Sequence, residues 1–500
     1  MRLPFLIIIG LCFSFVSVAQ QSLGISSSNY SGTNALHFNP ASVVDSRYKL
    51  YLNLIGDDIS AISNYIQFKR PLNEFQNLAG SETQNGRDKN LFITNDVRGP
   101  SLLYSINQKN AIALTSKLSL GFSATDMTEV TAQLFRYGVT KDFNFEKINP
   151  NQKLAVNTNG QIEFGLTYGR EIVNDEDWYL KGGLSVKRII GLYSLHFLGN
   201  NITTSFIKDQ NAYQETRINI ENLDLDYGFT KGKSFENFRF KPEWLFGNAP
   251  AGTGWGFDIG FVYEFRPNFY QYNYTDKGKT KFDPSVNKYK IRVSAAITDI
   301  GKVNYNNPFY VQQYQAEGIN NAIFYEERFA RIRNADEIST LVDETVRIKN
   351  GVGGNSFEVN LPTTLNVSVD YLLKDNIYLT AIASKKLYKT YQIGLQRPDV
   401  FAIMARYETK WLEVSLPISF INYRTLTLGV SARYGPIFVG TDYLSGLLNI
   451  GSPRGVNAFL GLSVPIFQSK PSGANCPVIK GRPTKYKMRD FFQKVRDRVF

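Results

Sequence analysis

Strict alternation of large apolar and small or polar residues, repeated in one strand-length segment after another, most constrains the fold of this chain. From Trp255 to Phe265 every second residue is aromatic or aliphatic, and Gly, Asp, Val or Glu stands between them. A period of two places the two sets on opposite faces of a β-strand. Such an apolar face is either buried in a sheet core or turned to lipid, and many such strands in one chain favour lipid.

The first residues have the composition of a secretory signal peptide. Arg2 supplies a positive charge, residues 4–16 an apolar core, and Ser17-Val18-Ala19 a small-residue cleavage site. We expect residues 1–19 to be a cleaved signal; an uncleaved N-terminal anchor is the alternative. No later stretch approaches the roughly 20 consecutive apolar residues that a spanning helix needs, whereas a spanning β-strand needs only about 9–11.

Fourteen alternating segments can be paired into up-and-down hairpins. They predict an all-β fold, a transmembrane antiparallel β-barrel of about 14 strands over residues 48–467. The predicted strands are Tyr48–Phe68, Ser101–Asn107, Ala111–Thr125, Gln161–Val173, Trp178–Leu198, Trp255–Arg266, Val286–Lys302, Leu361–Leu373, Ile377–Leu387, Val400–Glu408, Trp411–Ile421, Thr425–Arg433, Ile437–Leu444 and Arg454–Phe467.

The connection lengths predict the orientation in the membrane. The long connections, expected to be extracellular loops, are 69–100, 126–160, 199–252 and 303–360. Most connections on the opposite, inner side are tight turns, with Pro267–Ser285 as the exception. Short periplasmic turns and long external loops are typical of the Gram-negative outer membrane, which is the predicted location. A soluble propeller or tandem sandwich would show an internal repeat or more uniform loops.

The N-terminal residues 20–47 are rich in Ser and Asn, and we expect either a plug inside the barrel or a periplasmic lead-in. The elements Ser31-Gly32-Thr33-Asn34, Asn39-Pro40-Ala41-Ser42 and Asp45-Ser46-Arg47-Tyr48, with residues 440–446 (GTDYLSG), resemble an uncharacterised outer-membrane barrel family of Bacteroidota. More distantly, the Asn-Pro-Ala element followed by fourteen strands resembles the FadL-like transporter superfamily. The resemblance implies a barrel with an N-terminal segment and, for the first family, no assigned activity.

Charged residues on the predicted inner face form a candidate lumen network. Its members are Lys117, Lys181, Lys187, Asp258, Glu264, Lys290, Arg292, Asp370, Glu413 and Arg433. A cation facing lipid at the bilayer midplane costs roughly 2–4 kcal/mol, so these side chains are expected to face inward. They could line a polar, mildly anion-favouring channel, or they could pair with one another in a filled interior.

Residues 468–500 differ in character from the barrel and are expected to form a basic periplasmic tail. They contain nine basic and two acidic residues, and the apolar residues of the final stretch recur at helical spacing. This candidate partner-binding face consists of Met488, Phe491, Phe492, Val495 and Val499. A solvated tail without a partner is the alternative. Loops 199–252 and 303–360 are further candidate contacts, and a helix is expected over Asn320–Arg333.

Catalysis and cofactor binding have little support in the sequence. The chain has two histidines, His37 and His196, and once the signal is removed one cysteine, Cys476. No metal-ligand spacing and no nucleophile or nucleotide motif occurs, so no catalytic, metal or cofactor-binding residue is predicted. The formal charge of +12 does not indicate nucleic acid in an exported chain; outer-membrane lipid and envelope proteins are the expected partners.

Two functions therefore remain open, and a surface enzyme or adhesin that uses loops 199–252 and 303–360 is a third, more remote alternative. The first is a structural or accessory subunit of an envelope complex for secretion or outer-membrane assembly. The second is a FadL-like transporter or porin for small hydrophobic or anionic solutes. A charged lumen is unfavourable for the passage of apolar ligands, because such ligands need apolar surroundings.

Overall fold

The computed structural model describes most of the chain between Ser22 and Lys470. The described residues are 22–68, 79–83, 85–137, 149–175, 177–208, 216–234, 240–247, 249, 251–276, 279–320, 322–325, 337, 352–389, 391–422 and 425–470. The predicted signal peptide and the five apolar residues of the predicted tail lie outside these ranges. Among the described residues, no helix is long and apolar enough to cross a membrane.

Fourteen antiparallel strands form a closed barrel, as the alternation predicts. They are β1 (Tyr48–Ser63), β2 (Lys89–Arg98 and Ser101–Ser105), β3 (Asn110–Met127), β4 (Asn149–Asp175), β5 (Trp178–Lys208), β6 (Gly252–Phe265), β7 (Ile291–Tyr305), β8 (Phe357–Asn360 and Thr364–Lys374), β9 (Ile377–Lys386), β10 (Val400–Glu408), β11 (Leu412–Ile421), β12 (Thr425–Leu428 and Val430–Tyr434), β13 (Ile437–Thr441) and β14 (Gly455–Phe467). The pairing of β1 with β14, with Asp57 opposite Leu460, closes the sheet.

The two faces of β6 differ as the sequence predicts. Trp255, Phe257 and Phe261 point outward and are 47%, 44% and 48% exposed, whereas Asp258 and Glu264 point inward and are buried. The same division recurs on β9, β10, β11 and β14, whose exposed residues are mostly aliphatic. An outer apolar surface around a polar interior is the pattern of a barrel in lipid.

The two ends of the barrel are unlike. At one end, here called the turn end, β1 begins, β14 ends and most connections are short. The exception, 266–290, contains a 3₁₀ turn, Phe269–Tyr272, and a ribbon of Asn273–Asp276 paired with Lys279–Phe282. The opposite end, here called the loop end, carries the long connections.

Several segments predicted as loops form strands at the loop end. β4 and β5 have 27 and 31 residues, far more than the roughly 9–11 that span a membrane. The upper part of β5 pairs with Thr216–Thr230, which in turn pairs with Val311–Ile319 and Ala322–Tyr325. The short strand Val352–Gly354 pairs with the strand Val311–Ile319, and Lys89–Arg98 extends β2. The predicted helix over Asn320–Arg333 is wrong at Ala322–Tyr325, because this stretch satisfies its backbone by pairing with residues 217–220.

An apolar core packs on the outer side of these extensions. The register joins Leu91 to Ala124 and Ala124 to Val156, and all three lie opposite the polar lumen-facing residues of the same strands. Ala132 of the helix Glu129–Tyr137 and the ring of Tyr65 pack against this cluster. The loop-end extensions are therefore stabilised by a core of their own, separate from the lumen.

Candidate functional site

The N-terminal segment, defined as Ser22–Arg47, lies inside the barrel. It contains a short α-helix, Leu23–Ser26, and two 3₁₀ helices, Gly32–His37 and Pro40–Val43. Nearly all of its residues are buried, although the helices are too short to bury one another. Many of their polar groups bond to the lumen wall, and these bonds matter because a buried polar group without a partner costs roughly 1–3 kcal/mol.

The Asn39-Pro40-Ala41 element fits one stretch of the wall closely. The side-chain oxygen of Asn39 accepts a hydrogen bond from the backbone amide of Ala41 at 2.9 Å. Its side-chain NH₂ donates to the backbone carbonyls of Phe261 and Ala295 at 3.1 and 3.3 Å. A Cβ on Gly183 would lie 2.5 Å from the Pro40–Ala41 backbone, so glycine is needed there for this close approach.

Two carboxylates hold the middle of the N-terminal segment. The Ser28 hydroxyl lies 2.6 Å from Glu413 and 3.2 Å from Glu408. The backbone amide and the side-chain amide of Asn29 both donate to Glu408, at 3.1 and 2.8 Å. These bonds join a segment without strand pairing to β10 and β11 near the turn end.

Three arginines and an aspartate complete this contact. Arg406 is fully buried, donates to the Ser27 carbonyl at 3.2 Å and pairs with Asp370 at 2.8 Å and with Glu408 at 3.0 Å. Arg292 pairs with the same aspartate at 3.0 Å and donates to the Ser27 carbonyl at 2.7 Å. We call the set that holds Ser27–Asn29 the clamp; it consists of Arg292, Asp370, Arg406, Glu408, Glu413 and Arg433.

A second ionic cluster holds the segment where it leaves the barrel at the turn end. Asp45 pairs with Arg47 at 2.8 Å, Arg266 at 2.7 Å and Lys288 at 3.5 Å. Burial would raise the pKa of the Asp45 carboxyl, but Arg47, Lys288 and Arg266 lower it well below its usual value. Burial lowers the pKa of the Lys288 ammonium to about 7, against the opposing effect of Asp45.

Ion pairs also fill the middle of the lumen. Lys117 of β3 pairs with Glu163 of β4 at 3.2 Å. Lys187 of β5 pairs with Asp258 of β6 at 2.7 Å and with Asp299 of β7 at 2.6 Å. Every described partner in these pairs is a wall residue. Two lysines face three carboxylates, so both cations are neutralised and these pairs offer no unpaired positive charge to select an anion.

The connection between β9 and β10, described at residues 387–389 and 391–399, folds into the lumen. The Gly394 amide donates to Asn157 of β4 at 2.9 Å, and Arg397 pairs with Asp96 of β2 at 3.4 Å. Leu395 occupies the space beside Gly121 of β3, where a Cβ would lie 2.6 Å from its methyl carbon. We call this connection the inward loop. It crosses the lumen from β9 and β10 to the opposite wall, formed by β2, β3 and β4.

One part of the lumen wall is apolar. Leu23 and Phe38 of the N-terminal segment pack in a buried cluster with residues of β1 and β9–β11 and with Tyr443. The wall residues of this cluster are Ile62, Ile382, Val400, Ala402, Met404 and Ile421. The lumen is thus ionic on some sides and apolar on another, and the N-terminal segment covers both surfaces.

Most of the predicted lumen residues lie in the interior. Lys117, Lys187 and Asp258 meet in the middle pairs, Glu264 pairs with Arg266, and Arg292, Asp370, Glu413 and Arg433 belong to the clamp. Lys181 donates to the Val44 carbonyl at 2.6 Å. Lys290 is the exception: its ammonium lies over the ring of outward-facing Tyr371 and donates to the Leu373 carbonyl at 3.3 Å, because the chain has not yet entered β7 at this position.

The structure adds site residues that the sequence did not single out. Arg406 and Glu408 alternate with outward-facing residues on β10, so the period-two alternation of the sequence already predicts that both face the lumen. Asp299 has a positive φ at a bulge in β7, and Arg397 and Asp45 lie outside the strands, where alternation predicts no facing direction. Among the described residues, no group of three His, Cys, Asp or Glu side chains is arranged to hold a metal ion.

Comparison with known proteins places the chain in a family. No curated protein matches the sequence. Solved structures that resemble it include the Ralstonia pickettii toluene transporter TbuX (10% identity, 91% of this chain and 100% of that chain covered, TM-score 0.39) and a Pseudomonas aeruginosa FadL homologue (12% identity, 90% and 97% covered, TM-score 0.40). The profile of a family of unknown function, DUF5723, matches residues 40–442. The chain, a fourteen-stranded barrel of the outer-membrane type, belongs to the DUF5723 family.

Proposed function

We propose that this protein is a gated passage for small hydrophobic molecules across the outer membrane, with the N-terminal segment as the gate. The observation that carries the proposal is the way the lumen is closed. Side-chain hydrogen bonds, ion pairs and packing hold the N-terminal segment, and none of it is a strand of the sheet. Such contacts can be released without opening the barrel wall.

The apolar wall supports a hydrophobic solute. Leu23 and Phe38 occupy the surface formed by Ile382, Ala402 and Met404, so their withdrawal uncovers apolar side chains inside the lumen. An apolar ligand gains free energy on such a surface, at roughly 25 cal/mol per Å² of area removed from water. The clamp and the middle ion pairs give an anion little to bind, because their cations already have carboxylate partners.

The closed lumen distinguishes this proposal from a general porin. The N-terminal segment and the inward loop both cross the interior, so the resting barrel should pass little current. In planar bilayers, we expect the purified wild-type protein to conduct rarely, and a variant without residues 22–44 to conduct steadily. Steady conductance of the wild type would support a porin.

A reversible cross-link tests the gate directly. A Cβ on Gly24 would lie 3.1 Å from the Ser431 Cβ, and disulfides need about 3.5–4.5 Å, so a shift of a few tenths of an ångström suffices. In a Cys476→Ser background, Gly24→Cys with Ser431→Cys should block uptake of a radiolabelled small aromatic hydrocarbon into proteoliposomes when oxidised, and dithiothreitol should restore it. The matched control is Gly24→Cys alone. Equal uptake by the oxidised double variant and the control contradicts the proposal.

A second candidate function is attachment to an envelope partner through residues 468–500. One observation favours it: where the chain leaves β14, the Gln468 amide donates to the Arg47 carbonyl at 2.9 Å and its side chain to the Ser46 carbonyl at 2.8 Å. A partner that displaces Gln468 therefore also acts on the end of the N-terminal segment. Affinity purification with and without residues 471–500 tests this; an identical set of co-purifying proteins contradicts it, provided both barrels are folded.

A further inference from the structure

A short segment lies on the outside of the barrel, against strands that otherwise face lipid. Residues 240–247 contain the 3₁₀ turn Pro242–Leu245, and Trp244 packs with Ile162, Phe164 and Ile190, which point outward from β4 and β5. The ring of Phe240 contacts Phe164 with 5.3 Å between centroids. The segment therefore covers apolar wall that the alternation assigns to the outer face.

An outward-facing arginine holds this segment in place. The Arg188 guanidinium donates to the carbonyls of Trp244, at 3.3 Å, and Gly247, and its charge lies 5.2 Å from the ring centre of Trp255. Both carbonyls lie at the C-terminal end of the 3₁₀ turn, where backbone acceptors point away from the turn. Arg188 thus fixes residues 244–247 to the barrel at the height of Trp255.

The height of Trp255 matches the loop-end boundary of the lipid. Phe265 pairs with Trp178 at the turn end, and Trp255 is ten residues higher on the same strand. Ten residues at about 3.4 Å each, tilted by about 40°, rise roughly 25 Å, which is the usual height of the apolar band. Lys302, the partner of Trp255 in β7, also faces outward and pairs with Glu358 at 2.5 Å, so outward charge begins at this level.

Further cations lie close to this level. The half-buried Lys231 precedes the 3₁₀ turn Gly232–Ser234, which contains the exposed Lys233. The Ser234 hydroxyl of this turn lies 3.5 Å from the Leu192 carbonyl, four residues after Arg188 on β5. We define the collar as residues 231–234 and 240–247 with Arg188, Lys302 and Glu358. It contains five cations and two carboxylates, an excess of three positive charges.

One collar residue is directed away from the protein. Phe246 is 93% exposed and belongs to the turn that Arg188 holds at the lipid boundary. Aromatic side chains are enriched at this depth because they join acyl chains to the headgroup region. A nearly fully exposed phenylalanine within a collar of net positive charge matches a lipid with an anionic head.

We propose that the collar binds a phosphate-bearing anionic lipid of the leaflet at the loop end, a phosphorylated glycolipid, with Phe246 among its acyl chains. The lysines contact the phosphates, and Arg188 and Trp244 keep the turn at the required depth. The inference concerns the outer surface and does not depend on a passage through the lumen.

Binding is tested on the full-length protein in detergent, with lipid A as the probe and phosphatidylcholine as the zwitterionic comparison, by native mass spectrometry. Replacing Lys231, Lys233 and Lys241 with Gln should weaken lipid A binding about 100-fold, at roughly a factor of five for each lysine near a charged lipid surface. The matched control replaces Arg87, Lys153 and Lys389, cations elsewhere at the loop end, with Gln and should bind as the wild type does. Equal retention of both lipids, or equal loss in both triple variants, overturns the proposal.

The depth of Phe246 is tested separately in liposomes. A nitroxide on Phe246→Cys, in a Cys476→Ser background, should be relaxed more by oxygen than by a water-soluble nickel chelate, and a nitroxide on Lys153→Cys should show the reverse. Equal relaxation profiles at the two positions would place the turn in water and remove the basis of the proposal. Unchanged heat-modifiable migration on gels shows that each variant is folded.

Discussion

The hydroxyl of Ser28 donates a 2.6 Å hydrogen bond to Glu413, which lies 385 residues later in the chain. Glu413 also pairs with Arg433 at 3.1 Å, so a single carboxylate joins the N-terminal segment to β11 and β12. Both side chains are buried. The contact therefore requires β11 and β12 to be in place, and closure of the lumen depends on strands near the other end of the chain.

The clamp should contribute strongly to stability through Asp370. This carboxylate is fully buried and pairs with Arg292 and Arg406, so Asp370→Asn leaves two buried cations without their shared partner. Breaking a buried ion pair from one side costs roughly 3–5 kcal/mol. We expect a lower midpoint in heat-modifiability gels, on which the folded and unfolded barrels migrate differently.

The pair between Lys302 and Glu358 is the matched control for this substitution, because both side chains are about half exposed. Glu358→Gln should change stability by less than about 1 kcal/mol, as is usual for exposed pairs. Equal midpoints for Asp370→Asn and Glu358→Gln would show that the clamp adds nothing to stability.

Gly183 should be required for seating the Asn39-Pro40-Ala41 element. A Cβ there would lie 2.5 Å from backbone atoms, which cannot yield as the end of a side chain can. Overpacking of this kind costs typically about 1–3 kcal/mol, and Gly183→Ala should displace the N-terminal segment. Trypsin cleavage after Arg47, which is 4% exposed, should then become faster.

Gly353→Ala is the control for that experiment, since the nearest atom to its Cβ would be 3.9 Å away. It should leave both the cleavage rate and the thermal midpoint unchanged. Slow cleavage at Arg47 in both variants would mean that the close approach at Gly183 is relieved by a shift of the strand rather than of the segment.

The barrel could be predicted from the sequence because lipid imposes one simple rule on every strand. β10 runs from Val400 to Glu408 as predicted, and β6 and β14 differ by only a few residues from the predicted ranges. The loop-end extensions escaped this rule because they stand above the lipid. Their apolar face, which includes Leu91 and Val156, is buried by other protein segments, so its pattern does not distinguish strand from loop.

The lumen was only partly predictable for a related reason. Alternation gives the direction of Asp258 and Arg433, which lie within regular strands, but not their partners. Lys187 meets Asp299 only because a bulge in β7 turns that carboxylate inward, and Arg397 reaches Asp96 only because the inward loop crosses the lumen. Neither contact leaves a periodic pattern in the sequence from which it could be predicted.

Lys288 should make stability depend on pH. Its ammonium faces Asp45, with Arg47, Arg266 and Glu264 close by, and its pKa is lowered from 10.5 to about 7. Between these values the unfolded chain binds the proton and the native protein does not, so native stability increases as pH rises from about 7 towards 10. Thermal midpoints at pH 7, 8 and 9 should increase in the wild type by more than in Lys288→Met.

The control is Lys374→Met, at an exposed turn-end lysine with no role in the cluster, and it should keep the wild-type slope of thermal midpoint against pH. Parallel slopes in all three proteins would contradict the assignment of this pH dependence to Lys288.

The inward loop should open when Arg397 is changed. Arg397 pairs with Asp96 across the lumen at 3.4 Å, and its backbone amide donates to the Tyr388 hydroxyl at 2.7 Å, so the side chain joins the loop to β2 while the amide holds the loop's own turn. Arg397→Gln removes the first contact and keeps the second. Loss of a partly buried pair of this kind should lower the free energy of local opening by about 1–3 kcal/mol, which corresponds to amide exchange roughly 5- to 150-fold faster over residues 391–399.

The control is Lys389→Gln, at an exposed lysine of the same loop, which should leave the rate of amide exchange unchanged. Hydrogen exchange followed by mass spectrometry gives both rates, and equal protection in the two variants would mean that Asn157 and the packing of Leu395 against Gly121 are sufficient to hold the loop.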